Sequence, residues 1–395
     1  MSKYKVAIVH DYLREYGGAE RVVEDLHELF PEAPVYTAYL NPEGLGIHWE
    51  RLKNWDICTS WMQKFPGIKK LLSAFRVFAP LTFEMFDLSE YDVVISSANV
   101  YFSTAVITKP ETLHIAYIHT PAKMLYGYTT SYNYKKHWWT RIGGELANHF
   151  LRIYDFEIAQ RPDILVANSK NVAARIKKFY RREAEVIYPG VDVSKGMLSG
   201  KPTQASLARG GGKVRNYYLC VNRLTRGKGT EIVVAACTKL NLPLKVAGSG
   251  LELERLRKIA GPTIQFLGHV SDSEKEKLYG GAIALIVATE QEDFGMTPPE
   301  AYAGGTPVIA ARVGGYLETV VEGKTGQFFE VSADLGAKNI YVDTPSVNNL
   351  VAVLEKFDPK KYKPEDLKKQ AEKFSKENFK KGILELVEKN FKMVK

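Results

Sequence analysis

Residues 290–320 read EQEDFGMTPPEAYAGGTPVIAARVGGYLETV, directly after the apolar run AIALIVA at 282–288. That run has the length and content of a buried strand. Beyond its end the acids Glu290, Glu292 and Asp293 crowd one loop, where open α/β sheets bind ligands, at the carboxyl ends of their strands. Thr297-Pro298-Pro299-Glu300 predicts a helix start, with Thr297 as N-cap, Pro298 at the first helical position and Glu300 closing a capping box. Capping accounts for Thr297 and Glu300 but not for the three acids before them, so the loop reads as a binding site.

Outward from this stretch, short apolar runs alternate with helical patterns. YYLCV at 217–221, LKVAG at 244–248, IQFLG at 264–268 and PVIAA at 307–311 form one set; VAIV at 6–9, DVVIS at 92–96, HIAYI at 114–118 and ILVAN at 164–168 form an earlier one. Alternation of this kind predicts parallel sheets covered by helices. The fold class is therefore α/β with two doubly wound, Rossmann-like domains. The expected boundaries are an N-terminal domain at 1–193, a Gly-, Ser- and base-rich linker at 194–216, a C-terminal domain at 217–372 and a terminal helix at 373–395. Phe374, Phe379, Ile383, Leu386 and Phe391 give the segment 363–392 one apolar face.

At 395 residues and 45% hydrophobic content the chain exceeds one ordinary core. No uncharged run is long enough to span a bilayer, and MSKYKVAIVHDY opens on a strand rather than a signal peptide, so a cytoplasmic location is expected. Cys58, Cys220 and Cys237 are scattered without metal-ligand spacing. The net charge of +9 suits phosphorylated small substrates or an anionic membrane. With no nucleic-acid motif in the sequence, nucleic acid is not an expected partner.

Three further groups bear on chemistry. Arg223 and Lys228, in NRLTRGKGTEIVV, follow a strand and precede a helix start near Gly229, and two cations beside a helix N-terminus suit a diphosphate. Gly17-Gly18, in HDYLREYGGAERVVEDL, lets a first helical turn offer amides to an anion. His119 closes a strand before Thr120-Pro121 and is expected to reach a cleft rather than the core. Ser169 is a plain N-cap in the ANSKNVA stretch.

The spacing Glu292-x7-Glu300, continued by Gly-Gly-x-x-Glu-Thr at 314–319 and matched by Arg-x4-Lys-Gly at 223–229, resembles the retaining GT-B glycosyltransferases of family four. That resemblance implies a cleft between the two domains and a terminal helix that crosses back to the first. It puts Glu292 beside the donor sugar and Glu300 on the ribose hydroxyls, with the Phe294-Gly295-Met296-Thr297 amides on sugar and phosphate. Arg223 and Lys228 become the pyrophosphate clamp, and His119 and the Gly17-Gly18 loop lie near donor and acceptor. With no D-x-D motif, it implies no metal and no cofactor.

The Glu-Gln-Glu-Asp-Phe-Gly wording, the HTP triplet and the ANS-x-N-V-A stretch are most similar to bacterial mannosyltransferases of O-antigen and exopolysaccharide assembly. They imply GDP-mannose as donor and a glycan or polyprenyl-linked acceptor. AKMLYG at 122–127 departs from those relatives, and 199–213 and 332–343 look inserted. A UDP-sugar donor, a sugar-nucleotide epimerase and a non-catalytic sugar or lipid binder are the alternatives. A dinucleotide oxidoreductase is disfavoured, because the first turn lacks G-x-G-x-x-G.

Residues 57–83 hold Lys64, Lys69, Lys70 and Arg76 among many apolar residues and no acid. They read either as a surface helix on anionic lipid or as an amphipathic helix packed on its own sheet. The run Tyr134-Lys135-Lys136-His137-Trp138-Trp139 adds weight to peripheral attachment at the cytoplasmic face of a membrane.

Overall fold

The structure, a computed structural model, describes residues 4–128, 138–193, 215–332 and 343–394. Residues 194–214 of the expected linker at 194–216, Tyr134 to His137, and nearly all of both insertions lie outside them. Among the described residues the chain divides into two units. One runs to Gly190 and takes in the segment from Lys376 onward; the other is Val191–Ser375.

In the first unit, strands β1 (Val6–His10), β2 (Val35–Thr37), β3 (Ile57–Thr59), β4 (Val93–Ala98), β5 (Leu113–Ile118), β6 (Ile164–Ala167) and β7 (Glu185–Val186) form one sheet in the order β3-β2-β1-β4-β5-β6-β7. Every pairing is parallel. β1, β4 and β5 are buried along their whole length, which is why their sequences are near-continuous apolar runs rather than alternating ones. Chain order reverses at β1, whose neighbours are β2 and β4.

The second unit repeats the plan. β8 (Tyr217–Val221), β9 (Leu244–Ala247), β10 (Ile264–Gly268), β11 (Ala282–Val287), β12 (Val308–Ala311) and β13 (Gly326–Phe329) pair in the order β10-β9-β8-β11-β12-β13. All of these pairings are parallel too. The reversal now falls at β8, between β9 and β11.

The C-terminal segment, expected to begin its own helix at 373, is two helices. Pro364–Lys373 packs against Thr297–Ala303 in the second unit, and Lys376–Val394 packs against Gly18–Leu29 and β5 in the first. Phe379, Ile383, Leu386 and Val387 share a core with β1, β4 and β5. Each such side chain stabilises by about 1.5–3 kcal/mol. Lys376 and Lys380 add ion pairs to Asp25 and Glu28. The terminal helix thus belongs to the first unit, as the family resemblance implies.

The segment 57–83 is not the single helix expected. Pro66-Gly67, with Gly67 at φ +77, and Pro80 break it. It runs through β3, the 3₁₀ turn Trp61–Lys64, the one-turn helix Ile68–Leu71, a second 3₁₀ turn at Phe75–Phe78, and the helix Ala79–Glu84. Arg76 is drawn inward over the Tyr101 ring and donates to Met124 Sδ, so it offers no charge to a membrane.

The long helix Trp138–Ile158 turns Asp155 into the unit, where the Tyr126 and Tyr180 hydroxyls donate to its carboxylate at 2.8 and 3.1 Å. Burial pushes the Asp155 pKa up to about 7, although both hydrogen bonds oppose the rise. A carboxyl with a raised folded pKa contributes stability that is full below its unfolded value, about 3.9, and lost as pH rises through the folded one. Asp155→Asn should therefore gain on the wild type by about 2–3 kcal/mol between about pH 5 and pH 8. Urea unfolding at the two pH values measures this. An unchanged difference would mean that Asp155 titrates normally.

Candidate functional site

The second unit assembles its groups at the strand-order reversal, from the loops that leave β8 and β11. The first loop carries Arg223, exposed two residues beyond β8, and Lys228, half-buried just before the helix Thr230–Lys239. Gly229 at φ +66 joins them, and a Cβ there would meet the Ala288 carbonyl oxygen at 2.1 Å, so only glycine brings this loop against the end of β11. The second loop carries Glu292. Lys228 Nζ lies 3.4 Å from Glu292 Oε2, and the Tyr316 hydroxyl donates to the same oxygen at 3.4 Å.

The segment 314–319 holds Glu292 in place. The Gly315 amide donates to the Glu292 carbonyl at 3.0 Å, and a Cβ on Gly315 would lie 2.4 Å from Phe294 Cα. Tyr316 is fully buried, and burial followed by the Glu292 charge pushes its phenol well above the ordinary range, so it stays protonated and donating. The two halves of 290–320 thus make one structure.

Glu300 does not close a capping box. The helix Thr297–Ala303 takes Met296 as its N-cap without a side-chain bond, which makes Thr297 the first helical residue and Pro298 the second. Glu300, one turn in, turns to neighbouring structure instead. It accepts from the Tyr279 hydroxyl at 2.6 Å and lies 3.4 Å from Lys275 Nζ. The Glu300 amide, which a Thr297 cap would accept from, donates instead to the Met296 carbonyl at 3.3 Å. The Phe294 side chain is buried edge-on against Phe374, so only the backbone of that residue can face a ligand.

In the first unit a second cluster sits at the corresponding reversal, at the ends of β1, β4 and β5. His10 Nδ1 lies 3.0 Å from the Ser97 carbonyl and 3.2 Å from its Oγ, and His10 Nε2 lies 3.6 Å from Glu20. Burial lowers the His10 pKa, but the Glu20 hydrogen bond and charge, with Asp11 and the Ser97 carbonyl, outweigh it and leave the pKa raised. Asp11 accepts amides from Asn99, Val100 and Tyr101 on one oxygen and from Ser103 on the other, which fixes the loop after β4.

His119 lies in this cluster but is buried rather than turned out to solvent, with Nε2 2.8 Å from Ser97 Oγ. Burial, and then the neighbouring His10 charge, pull its pKa to about 3. A ring that stays neutral at ordinary pH is a poor base, so the orienting role is the one that its surroundings support. The Gly17 amide is already donated to Glu20 Oε2 at 2.8 Å, so an anion at this turn would have to displace a carboxylate.

Sequence reading passed over His10, Asp11, Glu20 and Ser97. The available signal was a polar His10-Asp11 pair directly after the apolar VAIV run, at the carboxyl end of a strand.

Two family descriptions match this chain: Glycosyltransferase Family 4 over residues 16–195 and Glycosyl transferases group 1 over 209–374. The D-inositol 3-phosphate glycosyltransferase of Corynebacterium urealyticum is 30% identical over 44% of this chain and 46% of its own length. The alpha-1,3/1,6-mannosyltransferase ALG2 of Candida glabrata is 25% identical over 81% of this chain and 78% of its own. The chain spans less than half the length of the first curated relatives it matches. Among solved structures, sucrose-phosphate synthase from Thermosynechococcus elongatus aligns with a TM-score of 0.69 at 19% identity, covering 98% of this chain and 100% of that one. Anabaena HepE in complex with UDP and glucose aligns at 0.66 and 18%, covering 98% and 99%. These likenesses establish the GT-B fold.

Proposed function

We propose that this chain, a member of the GT-B glycosyltransferases of group 1 and family 4, moves a hexose from a nucleoside diphosphate sugar onto a glycan or lipid-linked glycan. The preferred donor is GDP-mannose. The supporting observation is the Lys228–Glu292 pair, 3.4 Å apart where the strand order of the second sheet reverses, beside the start of the helix Thr230–Lys239. Likeness to a mannosyltransferase favours mannose, and a neighbour solved with UDP and glucose keeps UDP-sugars as the second reading.

In this reading the diphosphate lies on Lys228, Arg223 and the helix start. Glu300 takes the ribose hydroxyls, its carboxylate held by Tyr279 and Lys275. The bond from the anomeric carbon to phosphate oxygen breaks with its electron pair going to the phosphate. The acceptor oxygen attacks the same face, so configuration is retained, and its proton passes to the departing phosphate. Lys228 and Arg223 stabilise the leaving charge without a metal, each charge-assisted contact contributing about 1.5–3 kcal/mol. Glu292 acts on the sugar, and the neutral His119 orients it. The reaction takes place in the cytoplasm.

The test is transfer from GDP-mannose to a panel of glycan and polyprenyl-linked acceptors, with and without chelator, and with the anomeric configuration of the product read by NMR. A retained linkage at equal rates in both conditions is expected. Activity that vanishes with chelator and returns with magnesium or manganese would refute the metal-free reading. Release of a free epimer without acceptor would assign an epimerase.

A further inference from the structure

The helix Trp138–Ile158 turns an apolar stripe outward to solvent. Asn148, Leu151, Asp155 and Ile158 are buried. On the opposite side Ile142, Leu146, Phe150 and Ile153 are each more than half exposed, and Trp138, at the start of the helix, is 70% exposed. Steps of four, four and three residues keep those four side chains in one stripe. A surface helix ordinarily shows polar residues there. Its exposed acids are Glu145 and Glu157, the latter in the last turn.

A second group of exposed apolar side chains, Phe65, Leu71, Phe78, Leu81 and Met85, stands on the turns described above. The elements that carry the two groups are neighbours in the unit. Ala79 and Phe83 share a core with Leu151 and Ile158, and Arg161, just past the long helix, binds Glu84 at the end of the short one. Exposed apolar surface on this scale marks an interaction site.

Charge distinguishes the occupants. Residues 57–83 contain no Asp or Glu and expose Lys64, Lys69 and Lys70, of which Lys69 reaches Glu43; the long helix adds the exposed Arg141. An anionic bilayer takes the apolar side chains at its headgroup boundary and the cations at its phosphates. No helix among the described residues is long and apolar enough to cross a membrane.

We propose that the first unit docks on an anionic bilayer through the outward face of the helix Trp138–Ile158 and the apolar turns at 65–85. The purpose of that docking rests on the lipid-linked acceptor reading, but the binding itself requires no catalysis.

The experiment is co-sedimentation of the full chain with phosphatidylcholine vesicles, with and without phosphatidylglycerol, at low and high salt. The wild type should pellet with anionic vesicles at low salt, and Leu146→Glu combined with Phe150→Glu should weaken partition by about tenfold or more. Both side chains are exposed, so the fold should survive; circular dichroism checks it. As a second readout, Trp138 emission, taken as wild type minus Trp138→Phe, should shift to the blue with anionic vesicles. Wild type left in the supernatant, or a double variant that binds like wild type, would overturn the proposal. So would light scattering that shows a dimer dissolved by the same substitutions, which would give the face to a second copy. GDP binding by the double variant tests the nucleotide reading separately.

Discussion

Glu292→Ala should lower transfer by about 100-fold or more while the protein stays folded, the order expected when one preorganised charge is removed from a transition state. The carboxylate is mostly shielded from solvent and held from two directions, by Lys228 and by the Tyr316 hydroxyl. It lies on a loop rather than in the core, so its truncation leaves no large cavity. Removing it also leaves Lys228 without its partner, which strengthens the pull of that cation on a diphosphate. The expected signature is a collapse of kcat with donor affinity unchanged or tighter, measured by steady-state kinetics beside a thermal melt. Near-normal turnover in a folded variant would take Glu292 out of the chemistry.

Lys228→Ala and Arg223→Ala should act the other way, through binding. Loss of one charge-assisted contact costs about 1.5–3 kcal/mol, or roughly 10- to 150-fold in affinity for the nucleoside diphosphate. Lys228 should show the larger effect, because it is half-buried at the end of β11 whereas Arg223 is exposed to screening. Calorimetric titration with GDP and UDP measures both. Equal, small effects from the two variants would mean that the diphosphate binds elsewhere.

The fold was legible because the central strands of both sheets are buried, and runs such as VAIV and AIALIVA advertise that burial directly. The charged cluster of the candidate site in the second unit was legible for a related reason. Its charged loops leave adjacent strands at the reversal, so residues 64 positions apart in sequence meet at 3.4 Å. What escaped was whatever depended on which local option a residue took. Thr297 had the sequence of a cap, but its helix begins one residue earlier. The apolar period at 363–392 looks continuous, yet the chain breaks it after Lys373 and shares the two pieces between units.

The first-unit cluster escaped because it is non-local. His10 and Ser97 are 87 residues apart, and a lone histidine shows no pattern until the sheet pairs β1 with β4. Residues 57–83 show the converse. Their composition pointed to one amphipathic helix, but Pro66-Gly67 and Pro80 made that impossible, and Arg76 was spent on internal packing. Of the four cations in that stretch, Lys64, Lys69 and Lys70 are exposed as the composition suggested, and Arg76 departs from it.

The central claim is that the second unit grips a nucleoside diphosphate sugar at Lys228, Arg223 and Glu300, and thermal unfolding against a panel of nucleoside diphosphates and their sugars tests it most directly. A ligand at about 100 times its dissociation constant adds about 2.7 kcal/mol. The account predicts the largest shift with GDP and GDP-mannose, and a reduced shift in Lys228→Ala. No shift with any nucleoside diphosphate or its sugar, or an equal shift in wild type and Lys228→Ala, would contradict it.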